Sequence, residues 1–180
     1  PGRPDGMAAF PGPDGSTILV CNHELNPDQQ GPFGRRLERL GRLKPDQLYD
    51  FGGGRTPGSG GTTTIVNDTR AQRVVRQFQS LAGTYRNCAG GPTPWGSWIT
   101  CEETVQLKGQ ANGLVADQNH GYVFEVAARA EIGLADPVPL EAMGRFNHEA
   151  VAVDPHSGVV YLTEDREDGL LYRFIPHEPG

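Results

Sequence analysis

The chain has 180 residues, enough for one domain or part of a larger one. Gly 25 and Pro 15 make up more than a fifth of it, where about 12% is usual, and so many helix breakers exclude a helical bundle or a coiled coil. The net charge is −6, from 16 basic and 22 acidic residues, with no dominant basic face for nucleic acid.

The chain opens at Pro1 inside a strand-and-turn pattern, with no initiator Met and no signal peptide, and reads as a piece of a longer chain. Ser16–Cys21 is a β-rich run after the turn Pro11–Gly15. Phe33–Leu43 spaces Leu37, Leu40 and Leu43 three residues apart, with arginines between, and is the one segment expected to be helical, as an amphipathic surface insertion. It lies in a loop-rich stretch, residues 26–60. Strands are expected at Gly61–Asn67, Gln72–Leu81, Ser97–Cys101 and Gly121–Val126. Ala150–Val153, the turn Asp154–Gly158 and Val159–Thr163 form a hairpin, which Gly169–Ile175 extends to a meander. No stretch approaches the ~18 apolar residues of a membrane span.

Short strands in meanders point to an all-β sandwich, barrel or propeller, and the last meander favours a propeller. A blade takes about 40–50 residues, so the chain supplies at most about four blades and an incomplete ring. No strict internal repeat is visible.

Four acid-bearing constellations lie at strand junctions: Cys21-Asn22-His23-Glu24, Cys101-Glu102-Glu103 with Cys88 upstream, Gly144–Glu149, and Glu164–Asp168. Each alone reads as a solvated turn or a surface pair. Brought to one end of a sheet assembly, their carboxylates repel one another and are tolerated when cations sit between them. Oxygen ligands suit calcium; an added thiolate or imidazole suits iron or zinc. The three cysteines cannot all pair within one chain, and a Cys88–Cys101 disulfide is an alternative that would remove both thiolates. There is no CxxC, HExxH, Walker A or GxSxG motif.

Asn87-Cys88-Ala89-Gly90-Gly91-Pro92-Thr93-Pro94-Trp95-Gly96-Ser97-Trp98-Ile99-Thr100-Cys101-Glu102-Glu103 closely resembles the signature stretch of the PhoX-type alkaline phosphatases. Asn22-His23-Glu24, Gly61–Thr64, Gly144–Glu149 and Gly169–Phe174 resemble that family too, in its order, so the similarity runs over roughly residues 5–178. The resemblance implies a β-propeller, generally six-bladed, of which residues 1–180 form part. It implies a secreted or periplasmic phosphomonoesterase acting on small phosphate esters, with calcium and ferric iron as cofactors. Carried over residue by residue, Cys88 is the expected iron thiolate, with Cys101 as alternative. Glu24, Glu103 and Glu149 are expected metal ligands, and Asp165 or Glu164 adds a further contact. Residue chemistry suggests Arg145 for a phosphate oxygen and His148 for orienting a ligand or protonating the leaving group. Two other classes stay open: a calcium-dependent lactonase or arylesterase propeller, and a calcium-stabilised binding platform.

Overall fold

The computed structural model describes residues 2–111 and 113–177. The strands are β1 (Pro4–Pro11), β2 (Thr17–His23), β3 (Gly61–Asp68), β4 (Arg73–Ala82), β5 (Asn87–Pro92), β6 (Ser97–Glu102), β7 (Gly109–Ala111), β8 (Leu114–Ala116), β9 (Val123–Ala127), β10 (His148–Val153), β11 (Val160–Glu164) and β12 (Leu171–Phe174). The architecture is all-β, and no α-helix occurs among the described residues. Strands form antiparallel sheets in the orders β1-β2-β3-β4, β5-β6-β9 and β10-β11-β12, with β7-β8 a separate hairpin inserted between β6 and β9. None is closed into a barrel.

Alternating apolar residues give each sheet a face to bury. Phe10, Ile18, Val20, Val66 and Leu81 of the first sheet pack against Trp98, Phe124 and Val126 of the second. The other face of the second sheet, with Cys88, Ile99, Cys101 and Val123, packs against Phe146, Val151, Val160 and Leu162. The second sheet is thus sandwiched between its neighbours. The leading strands lie side by side, β1 on β5 and β5 on β10.

One expectation changes, and strand β5 was not expected. Phe33–Leu43 is not a helix. It is a series of turns with a single 3-10 turn at Leu40–Arg42. Leu37 sits at φ 56°, in the left-handed region, and Gly34 at φ 86°; both break an α-helical path. The apolar residues pack individually instead, Phe33, Leu40 and Leu48 closing over Ala82 at the end of β4. Ahead of the expected strand at Ser97–Cys101 lies a strand the sequence pattern did not show, β5, with Gly90, Gly91 and Pro92 at its end.

A glycine pair explains that strand. A Cβ on Gly91 would stand 2.0 Å from the Val151 carbonyl oxygen, and one on Gly90 would stand 1.9 Å from that of Ile99. Bare backbone here lets β10 close onto β5. Gly91→Ala is expected to destabilise the protein by about 3 kcal/mol, by forcing the second and third sheets apart. Urea unfolding checks this; a loss below about 1 kcal/mol would show that the contact gives way easily.

Candidate metal centre

The three sheets carry the same device at the same end. In each, the start of the leading strand pairs with the end of the next: Pro4 with His23, Asn87 with Glu102, His148 with Glu164. Immediately after each leading pair the register shifts, between Pro4 and Met7, Asn87 and Gly90, and His148 and Val151. A bulge bends a strand and re-aims its side chains. The residues so displaced include Asp5, Cys88 and Glu149. The residues just past the partner strands are Glu24, Glu103 and Asp165. Each of these donates its backbone N–H to the residue before the leading pair: Glu24 to Arg3, Glu103 to Arg86 and Asp165 to Asn147, all at 3.0 Å. A three-fold repeat, invisible as sequence identity, therefore places five carboxylates and one thiol at equivalent positions.

Three of these groups converge. Ligand atoms of Cys88, Glu103 and Glu149 all lie within 4.8 Å of one another. The Cys88 thiol is buried and faces the carbonyl oxygens of His148 at 3.3 Å, Glu149 at 3.6 Å and Cys101 at 3.7 Å, to any of which it can donate. Burial pushes its pKa up, and the nearby Cys101 and Glu149 push it further. Burial also raises Glu149, helped by the charges of Glu103 and Asp165 against a hydrogen bond from Cys88. Glu103 is raised by burial, then by Asp165 and Glu24, against the pull of Arg86. All three groups are thus held toward their protonated forms, first by burial and then by neighbouring acidic groups. A cation among them would reverse that, so the donor set fits a metal in charge and in atom type.

Arg86 braces the rim. Its guanidinium pairs with Glu24 at 3.0 Å and Glu103 at 2.7 Å. Asp165 lies beside Glu103. Glu164, the alternative to it, turns away: its carboxylate accepts from Leu170 N–H at 3.3 Å and Tyr172 O–H at 3.1 Å. All three cysteines are free and buried, so no Cys88–Cys101 disulfide forms.

His148 and Arg145 lie elsewhere. The His148 ring is buried against Phe146, 3.6 Å between ring centroids, with Nε2 3.2 Å from the Gly144 carbonyl and Nδ1 unpartnered. Burial pulls its pKa down to about 4, so it is neutral at physiological pH. The group it offers to Cys88 is its carbonyl. Arg145 is exposed and lines a groove with Met143, Phe146 and Tyr172.

Behind the cluster lies a network that sequence reasoning missed. His120 bridges two fully buried carboxylates, Nδ1 to Glu102 at 2.7 Å and Nε2 to Asp50 at 2.9 Å. Glu102 also accepts from the backbone N–H groups of Tyr85 at 2.8 Å and Gly121 at 2.8 Å. Tyr85 stacks on His120 at 3.5 Å. This fixes Tyr85 and hence the Arg86-Asn87-Cys88 segment that follows. Asn22 is the second tie: its Nδ2 donates to the carbonyls of Cys88 at 3.0 Å and Ala89 at 2.8 Å, and its Oδ1 accepts from Trp98 Nε1 and Thr100 Oγ1, both at 2.8 Å. His23 is held by Thr63 Oγ1 at 2.7 Å. Glu102 stood in the sequence beside Glu103, but nothing in spacing distinguished the buried member of the pair from the rim member.

Beside the cluster opens a polar cleft of about 490 Å³, lined by Asn26, Arg86, Glu103, Thr104, Asn147 and Arg166 among others. The chain matches the family described as Alkaline phosphatase PhoX over residues 1–180. It belongs to that family. Comparison with curated proteins and with solved structures matched nothing. Membership of the PhoX family places the chain among alkaline phosphatase-like phosphatases. No helix among the described residues is long and apolar enough to cross a membrane.

Proposed function

We propose that the chain forms part of a six-bladed β-propeller phosphomonoesterase whose metal centre is built around Cys88, Glu103 and Glu149, with Glu24 and Asp165 at its rim. The observation that carries this reading is the convergence of one thiol and two carboxylates, in a chain of a phosphatase family. The successive sheets, with leading strands side by side and one repeated junction, support a run of propeller blades. The mixed sulfur and oxygen donor set supports ferric iron together with calcium. A calcium-only lactonase site has no use for a buried thiol. The family supports small phosphate monoesters as substrates and a secreted or periplasmic location.

The residues divide the work. Arg86 orients Glu24 and Glu103. The bulged β5 and β10 aim Cys88 and Glu149 at each other. The polar cleft admits a charged ester without burying it in an apolar wall. Bound cations would supply the positive field that offsets a dianionic phosphate at an acidic rim.

Elemental analysis of the purified protein, with no metal added, is expected to find iron and calcium together. The same preparation is expected to hydrolyse 4-nitrophenyl phosphate and to lose that activity on chelation. Calcium without iron would overturn the thiolate centre. Metal-loaded protein that turned over no phosphate monoester across a wide pH range would overturn the phosphatase.

A further inference from the structure

The cleft beside the cluster holds two guanidinium groups in different states. Arg86 is engaged by two carboxylates, at 3.0 and 2.7 Å. Among the described residues, the carboxylate paired with Arg166 is that of Asp168, 3.8 Å from Nε, between side chains 57% and 91% exposed. A pair so long and so exposed contributes little. The terminal nitrogens of Arg166 therefore remain open to a ligand.

The backbone of Arg166 is nevertheless fixed. Its N–H donates to Glu164 O at 3.2 Å, and its carbonyl accepts from Gly169 N–H at 3.0 Å. The Glu164 carboxylate closes the neck of the loop through Leu170 and Tyr172. A Cβ on Gly169 would stand 2.5 Å from Glu164 O and 3.0 Å from Arg166 O, so the loop closes this tightly because residue 169 is glycine. By the three-fold repeat, Arg166 stands where the other sheets have Leu25 and Thr104, one residue past the rim carboxylate. It is the one cation among the three, and it lines the same cleft as Glu103 and Asn147.

We propose that Arg166 holds the phosphoryl group of the substrate in this cleft, the role that the sequence suggested for Arg145. The inference rests on the phosphatase reading. A rim of carboxylates repels a phosphate dianion, and a guanidinium presents paired N–H donors that match two of its oxygens. The geometry selects doubly charged phosphate monoesters over neutral esters, for which an open guanidinium has no partner.

The test uses the metal-loaded protein and its Arg166→Ala and Arg166→Lys variants. Arg166→Ala is expected to raise both KM for 4-nitrophenyl phosphate and Kd for inorganic phosphate by about tenfold or more. Metal content and Tm are expected to match the unsubstituted protein, and Arg166→Lys to recover part of the affinity. Unchanged phosphate affinity in Arg166→Ala, with metal retained, would overturn the proposal. If the unsubstituted protein hydrolyses no phosphate ester, the functional reading fails separately, and titration with inorganic phosphate still decides the role of Arg166.

Discussion

Changing Cys88 to serine is expected to strip the protein of iron and to lower phosphatase activity by at least about 100-fold, the scale on which even outer supporting residues of metal sites act. The serine hydroxyl is smaller and harder, and it does not ionise near neutral pH, whereas a cation can deprotonate the thiol outright. The fold is expected to survive, because serine replaces one buried atom by a slightly smaller one at a bulge, and the hydrogen bonds lost are weak S–H contacts to three carbonyl groups. Elemental analysis and circular dichroism on one sample separate the two effects. Retention of iron at the wild-type ratio would remove Cys88 from the centre and return attention to Cys101. Glu149→Gln offers an independent check, since it removes a ligand charge from the same group on a different sheet. Because the thiol and both glutamates are held toward protonated forms, metal uptake is expected to release protons and to weaken as pH falls.

Glu102→Gln is expected to cost roughly 3–5 kcal/mol of stability, measured by urea unfolding, because it leaves a buried imidazolium with half its counter-charge. The glutamine amide nitrogen would also face N–H donors now bound by the carboxylate. Burial alone would lower the His120 pKa, but the charges of Glu102 and Asp50 and their hydrogen bonds hold it up at about 9. A folded-state pKa above the unfolded ~6.5 stabilises fully below about pH 6.5 and is lost as pH rises through about 9. The shift corresponds to about 3 kcal/mol. Asp50 works in the opposite direction: hydrogen bonds, first from His120, outweigh burial and lower its pKa. Its contribution is present above about pH 4 and fades on acidification. Stability is therefore expected to be greatest between these limits and to fall on the alkaline side in the wild type. In Glu102→Gln that alkaline fall should be much smaller. An unchanged alkaline profile in the variant would show that His120 does not carry the charge.

Much of the strand order was legible in residues 16–21, 61–67, 97–101 and 150–175, because half-buried antiparallel strands leave a local record in alternation and turn residues. Phe33–Leu43 misled because leucines spaced for one helical face also serve as separate anchors of a loop, and a backbone with Gly34 and Leu37 in the left-handed region cannot wind them together. Strand β5 was hidden by its glycines, which lower strand propensity where close packing against Ile99 and Val151 requires them. Asp5 and Arg86 went unnoticed because only the pairing register, with its bulge after each leading pair, shows that they stand at positions equivalent to those of Glu149 and Arg3.

The sequence by itself determined that the chain is all-β, that it carries acids at strand junctions, and that it belongs with a family of metal-dependent phosphatases. Those properties are written in local pattern and in one long, compositionally unusual stretch. Only the tertiary structure decided which of those residues meet. Antiparallel pairing sets the start of one strand beside the end of the next, and a bulge at each junction turns Cys88 and Glu149 toward Glu103. The same geometry put His148 into an apolar cluster, Glu102 into a buried charge network, and Arg166, not Arg145, on the cleft beside the site. Side-chain direction follows from register and close packing between residues dozens of positions apart, and a linear sequence does not display that.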